Sequence, residues 1–567
     1  MTTIARNTHI SRSGDRLMPW LLLPVVLIAL GPVLRLLAEA FGFGSGLTLD
    51  HAAAVLTRPS TLTALQHSLI TAGAGTLISI VIGASFAFVV ALTDIRAKSA
   101  LVFCLMIPMM IPPQITALAW MQVTGPSSVL LKTLGLAPPL GSPQPLHSAW
   151  GIAVLLGIQH AAIVFLTLRA GLRMIPGDLV EAARISGARG ARVWAQIVLP
   201  LSLPSLAAGA AMTFVTALGN FGIPAMLGIP ARYSTLPTLI YQRLAGMGQA
   251  VLPEVAVLAL LIGTVAVLGV LAGRLMLRRR AYGLVGLSSQ PLSLSLGGAR
   301  PVVEALLWAF IALVLVLPLL ALLATSLIPA YGVPLTLETA TLKAWAEVLL
   351  NQPVTRRAYA NSLLLAGSAA LILMAVAIPL AWIMSRRPSR LTRTVDVLVD
   401  LPYALPGVVL AIACILAFVR LPFGITLYGT LTIILLAYLS RFLVVMLRPV
   451  QAAIGQLDPA MEEAAASAGA HLGRRLRTIV LPLAAPAAGA GAILVFLTAV
   501  NELTVSALLW AGGTETLGVV IFNLEDSGDT VMASALAASI VGLVILLMGI
   551  VQLAAARLPK GAVPWQG

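Results

Sequence analysis

The chain has 567 residues, of which 59% are hydrophobic and only 10% charged, a balance that water-soluble globular domains do not show. Its excess of 35 Lys and Arg over 20 Asp and Glu is spread through short loops between apolar runs, so it does not form the single basic face of a nucleic-acid-binding domain. The composition is that of an all-α integral membrane protein: a helix needs about 20 apolar residues to cross the hydrocarbon core, and the alternating pattern of a membrane barrel is missing.

Twelve such stretches are predicted in chain order: 17–38, 66–92, 100–124, 148–172, 204–228, 253–277, 302–328, 361–384, 397–419, 426–449, 484–510 and 532–556. The first, preceded by Arg12 and Arg16, reads as a spanning helix because it is long for a signal peptide and lacks a clean cleavage region. Cys104 and Cys414 both fall inside apolar runs and suggest neither a disulfide framework nor a metal cluster. An even number of spans puts both termini on one side. Most of the basic residues then collect in the segments on that side, which the positive-inside rule makes cytoplasmic.

The chain repeats itself. Pro108 and Pro112 match Pro402 and Pro406 at an offset of 294; Glu181, Gly187 and Pro200 match Glu463, Gly469 and Pro482 at an offset of 282. Equivalent points are six spans apart, so two parallel six-helix halves are expected. They are a first domain over 1–280, a cytoplasmic linker over 281–300 and a second domain over 301–567.

One cytoplasmic loop in each half is too patterned to be a plain connection. In the first, Asp178 is expected to cap a helix, with Glu181 completing a capping box. In the second, Asp458 caps and Pro459 takes the first helical position. Gly187 and Gly469 are expected to break each loop into an elbow, and small alanines beside the acid allow another protein to approach closely. The two copies read Glu181-Ala182-Ala183, Gly187, Ile197, Leu199-Pro200 and Glu463-Ala464-Ala465, Gly469, Ile479, Leu481-Pro482.

This doubled pattern resembles the EAA loop of ABC importer permeases, and the resemblance covers nearly the whole chain as a fused pair of permease domains. It implies that each loop docks into a cytoplasmic ATPase subunit. The partners it implies are two copies of that ATPase, which binds ATP and Mg, and a periplasmic substrate-binding protein. The resemblance also implies residence in the bacterial inner membrane among lipid. No cofactor is expected in this chain, which is not read as an enzyme: the only lysines, Lys98, Lys132, Lys343 and Lys560, lack the glycine context of a phosphate-binding loop.

Polar residues within spans mark the expected translocation path, since a charge buried in the bilayer costs at least about 2.5 kcal/mol. These are Asn501 and Glu502 in the eleventh span and Asn220, the repeat equivalent of Glu502, in the fifth; Gln114, Gln159 and His160 are weaker candidates. Counting residues along straight helices leaves roughly 12 Å between Glu502 and Arg441, and makes Asp400 the expected partner of Arg441. No stable metal site is expected, with Glu502 at most a transient ligand. The segments Asn501–Trp510 and Asn220–Pro224 resemble the ferric iron branch of these permeases, which is similar to the thiamine and 2-aminoethylphosphonate branches. Phosphonate, thiamine or polyamine import is the alternative substrate reading. A secondary transporter is the alternative class, and the paired loops argue against it.

Overall fold

The computed structural model describes residues 13–41, 49–139, 141–188, 190–247, 251–277 and 294–555. Most of the expected linker, residues 281–293, lies outside these, as do the basic residues Arg6, Arg12, Arg189, Arg278, Arg279, Arg280, Arg557 and Lys560. The protein is all-α. Among the described residues the only β pairing is an isolated bridge between Thr93 and Leu294.

Among the described residues ten helices are long and apolar enough to span a membrane, and two further segments are helix pairs bent sharply at a short break. The pairs are Lys98–Met110 with Pro113–Thr133, at 102°, and Arg390–Ala404 with Gly407–Phe418, at 110°. The stretches expected as straight spans at 100–124 and 397–419 are therefore bent. The cause is the repeated proline: Pro112 and Pro406 cannot donate a backbone hydrogen bond, and the residues before them, Ile111 and Leu405, are forced extended.

Both bent pairs still carry the chain across. Gly75 packs on Ala153 and Leu156, and Gly83 on Ala161 and Val164, so Pro59–Leu92 and Ala149–Arg173 run parallel. The intervening pair must return the chain to the opposite face. In the second half Ile372 and Val376 lie by Leu439 and Leu443, while Met384 meets Gln451. Pro353–Arg386 and Leu431–Gln456 are thus parallel too, which makes twelve crossings.

The parallel packing rests on small residues. A Cβ at Gly83 would collide with the Ala161 carbonyl, and Ser79 donates to the Gly157 carbonyl at 2.8 Å, so these helices touch backbone to backbone. Gly75, in the Gly-containing stretch Ala72–Thr76, belongs to this contact. The halves also exchange their first helices. Ser13–Ala40 packs against Arg390–Ala404 and Gly407–Phe418, whereas Arg300–Ser326 packs against Lys98–Met110 and Pro113–Thr124. Thr325 donates to Gln122 at 3.3 Å across that second contact.

Candidate functional site: docking loops and paired helix breaks

The two loops have one architecture. Gly177–Ile185 and Pro459–Ser467 are short helices, each ended by a glycine at positive φ: Gly187 at 82° and Gly469 at 84°. Beyond each glycine the next amide bonds back five residues, Ala188 to the Ala183 carbonyl and Ala470 to the Ala465 carbonyl, both at 2.9 Å. This is a Schellman closure, in which the left-handed residue costs least as glycine. The third residue of each Glu-Ala-Ala run is therefore the acceptor that sets the elbow.

Glu181, Ala182, Glu463 and Ala464 are exposed, and Ala183 and Ala465 are half-buried. Asp458 caps as expected, accepting from the Ala460 amide at 2.9 Å with Pro459 behind it. Asp178 does not. The first helix starts at Gly177 with Pro176 at the cap, one residue before Asp178, which stands in the first turn instead.

Glu462, unnoticed in the sequence, ties down the second loop. It is 6% exposed and accepts from the Trp382 indole at 2.7 Å and the Arg386 guanidinium at 3.0 Å; Arg386 also donates to the Leu457 carbonyl. Its repeat equivalent is Val180, buried and apolar. The first loop instead lies by the incoming chain at Leu294–Leu296, across a cavity of about 420 Å³ that includes Arg184 and Trp194. There the Leu296 amide donates to Asp94 at 3.0 Å and the Arg96 amide to Glu304 at 2.7 Å.

The candidate path residues sit at a second pair of breaks. The expected fifth and eleventh spans are interrupted: Leu199–Leu218 stops before Asn220 and resumes as Gly222–Gly228, and Leu481–Val500 stops before Asn501 and resumes as Ser506–Leu509. Asn220 accepts from the Ile223 amide and Glu502 from the Val505 amide, both at 3.1 Å. The two equivalent side chains thus do the same local work, satisfying a backbone donor that the break frees.

Glu502 also pairs with Arg441 at 3.4 Å, and Asp400 pairs with Arg448 at 2.5 Å. The sequence expectation for Arg441 is corrected on both counts. Counting along a straight helix failed because the chain leaves the helix after Val500, and a rise of 1.5 Å per residue no longer applies.

The bends and breaks interlock around the pseudo-twofold axis. Gln159 donates to the Ile111 carbonyl at 2.9 Å, and its repeat equivalent Arg441 donates to the Leu405 carbonyl at 3.4 Å. Each thus holds the carbonyl just before a bend proline. Asn501 donates to the Met110 carbonyl of the other half at 2.6 Å, while its equivalent Gly219 sits so close to Pro406 that a Cβ there would clash. One half makes this junction with neutral Gln159 and Asn220, the other with the charged Arg441 and Glu502. Gln114 lies fully buried beside Gly222 and Gly518 with neither amide atom hydrogen-bonded. His160 bonds the carbonyl of Leu156 on its own helix at 2.8 Å. Among the described residues no three His, Cys, Asp or Glu side chains converge as a metal site.

The family model for the inner membrane component of binding-protein-dependent transport systems matches residues 79–281 and again 377–560, one match in each half. The chain belongs to this family. It is a two-repeat ABC importer permease of the inner membrane, the non-catalytic membrane part of a transporter whose other parts include an ATPase and a substrate-binding protein. It is 28% identical to the probable ABC transporter permease protein y4fN of Sinorhizobium fredii over 99% of both chains. It is 24% identical to the ferric transport system permease protein FbpB of Actinobacillus pleuropneumoniae, over 95% of this chain and 78% of that one. The molybdenum transport system permease protein ModB of Mycobacterium tuberculosis is 29% identical over 38% of this chain and 81% of its own.

Proposed function

We propose that this permease imports ferric iron, received from a periplasmic binding protein, and that two copies of one ATPase drive it by engaging the loops at Glu181–Gly187 and Glu463–Gly469. The observation that carries the reading of the drive is the doubled elbow, with the same acceptor, the same left-handed glycine and exposed acid and alanine in each half. Both termini then lie in the cytoplasm, with residues 1–280 and 301–567 forming two domains joined by the linker at 281–300. ATP and Mg belong to the ATPase.

Each docking loop runs through a helical turn into the helix that ends at a break, Gly190–Leu218 in one half and Leu472–Val500 in the other. A push on a loop is thus delivered to Asn220 or to Asn501 and Glu502, where the halves touch. Separation of Asn501 from the Met110 carbonyl and of Gly219 from Pro406 is the opening step. In that open state Glu502, released from Arg441, offers a carboxylate to a hard cation as a transient ligand.

Similarity to a ferric permease over 95% of this chain supports the iron reading; the molybdenum relative matches 38% of this chain and 81% of its own. The test is ATP hydrolysis by the reconstituted complex with its binding protein, compared across ferric iron, molybdate, thiamine, polyamine and 2-aminoethylphosphonate. Stimulation by ferric iron alone supports the assignment; stimulation by another substrate and not by iron replaces it.

A further inference from the structure

At the face opposite the docking loops a cavity of about 450 Å³ opens between the halves. The first half contributes Met121, Ser127, Gln144, His147, Ala225, Met226, Ile229 and Pro230; the second contributes Tyr331, Phe522, Glu525 and Asp526. Its place follows from the parallel helices, since Ala149–Arg173 begins beside His147 and ends at the first docking loop.

The electrostatics of this cavity are one-sided. No Lys or Arg is among its lining residues, and the Lys132 ammonium is engaged by the Gly332 carbonyl at 2.6 Å. Glu525 and Asp526 stand in the last turn of Leu517–Asp526, where the helix dipole already disfavours negative charge. Oε2 of Glu525 is buried without a hydrogen-bond partner. Burial pushes the Glu525 carboxyl above its usual range and His147 below its own, which leaves the imidazole neutral and able to accept or ligate. Burial pushes the Tyr331 phenol up, and the nearby Glu525 carboxylate adds to that push, so the phenol stays protonated. Two acids, a phenol and a neutral imidazole thus surround the cavity with no cation built in to balance them.

We infer that this cavity is the receiving site for a hydrated or chelated hard cation on the outer face, with Glu525 and Asp526 as its charged walls and Tyr331 and His147 as neutral donors. The inference rests on the ferric iron reading and sharpens it, because the same carboxylates repel an oxyanion such as molybdate. Size agrees. Six waters at about 30 Å³ each need roughly 180 Å³, so a cation fits with its shell intact. The groups line a wide space without converging as a tight metal site, which suits a waypoint that must release its cargo.

Terbium(III) is the probe: it seeks oxygen ligands as ferric iron does and luminesces when a nearby aromatic ring is excited. The full chain in zwitterionic nanodiscs should bind it saturably. The double variant Glu525→Gln/Asp526→Asn should bind at least about tenfold more weakly, while Tyr331→Phe lowers the emission far more than the affinity. Unfolding temperature and co-purification of the ATPase control for folding, and Asp526→Asn alone, at an exposed position, serves where the double variant is unstable. Unchanged terbium affinity in folded acid variants, or displacement of terbium by molybdate bound in the cavity, overturns the inference. Terbium binding that depends on both acids, in a protein whose complex ignores ferric iron, leaves the cation site standing and removes the iron reading instead.

Discussion

Replacing Glu502 with Gln tests what the charged junction does. The amide keeps an oxygen for the Val505 N–H at 3.1 Å but removes the negative charge 3.4 Å from Arg441. Both side chains are mostly buried, at 11% and 19% exposure, so solvent screens the orphaned guanidinium poorly. Breaking a buried pair from one side costs about 3–5 kcal/mol; this pair is itself long at 3.4 Å and Arg441 keeps some solvent contact, which favours a loss of about 3 kcal/mol. The first half supplies the control. It makes the same junction with neutral Gln159 and Asn220, so Arg441→Gln with Glu502→Gln approaches a neutral arrangement the fold already uses. Unfolding of all four proteins in one detergent should show each single change destabilising and the double change recovering much of the loss, with a coupling of about 2–3 kcal/mol. Additive losses would refute the ion pair as the element that matters here. Uptake measured alongside separates the roles: a double variant that is stable but slow to import makes Glu502 a transport residue as well as a structural one.

Three further outcomes follow from the same geometry. Gly187→Val or Gly469→Val meets no neighbouring atom but forces a branched side chain to positive φ, at about 1–2 kcal/mol; the protein should still insert and should bring down about half as much ATPase in pull-down, whereas Asn at either position should retain the full amount. Glu462→Gln keeps an acceptor for Trp382 and removes the negative charge that faces Arg386, so amide exchange over 459–467 should quicken while the first loop is unchanged; equal exchange in both proteins would dismiss the latch. Glu525 has a folded pKa raised by burial, so it holds its proton more tightly folded than unfolded, and the stability this contributes is lost as pH rises from the ordinary Glu range of about 4.3 through the raised value; Glu525→Gln should flatten the fall in unfolding temperature over that window.

The sequence showed the repeat, the loops and the side chains at the breaks, because each is carried by residue identity at fixed spacing. It hid the bends. Hydropathy measures only how apolar a stretch is, and Lys98–Thr124 remains apolar through a turn of more than a right angle. Pro112 and Pro406 were visible as a repeat, yet a proline inside a straight span and one between two helices look alike until packing decides. The same blindness placed Arg441 far from Glu502. Carrying the offset of 282 from Arg441 back to Gln159 would have exposed their shared task, since both steady the carbonyl before a bend proline. Glu462 was masked by its neighbour: Glu463 fits the repeated motif, while Glu462 corresponds in sequence to Val180 of the other copy and only the fold brings Trp382 and Arg386 to it.

The most direct measurement is the native mass of the complex formed when this chain is produced with its ATPase and extracted intact. Two equivalent elbows, each closed by the same glycine, predict one permease chain carrying two ATPase copies, reduced to a single copy when either Gly187 or Gly469 is changed to Val. A complex with one ATPase in the unmodified protein, or no association with the correct ATPase, would contradict the account.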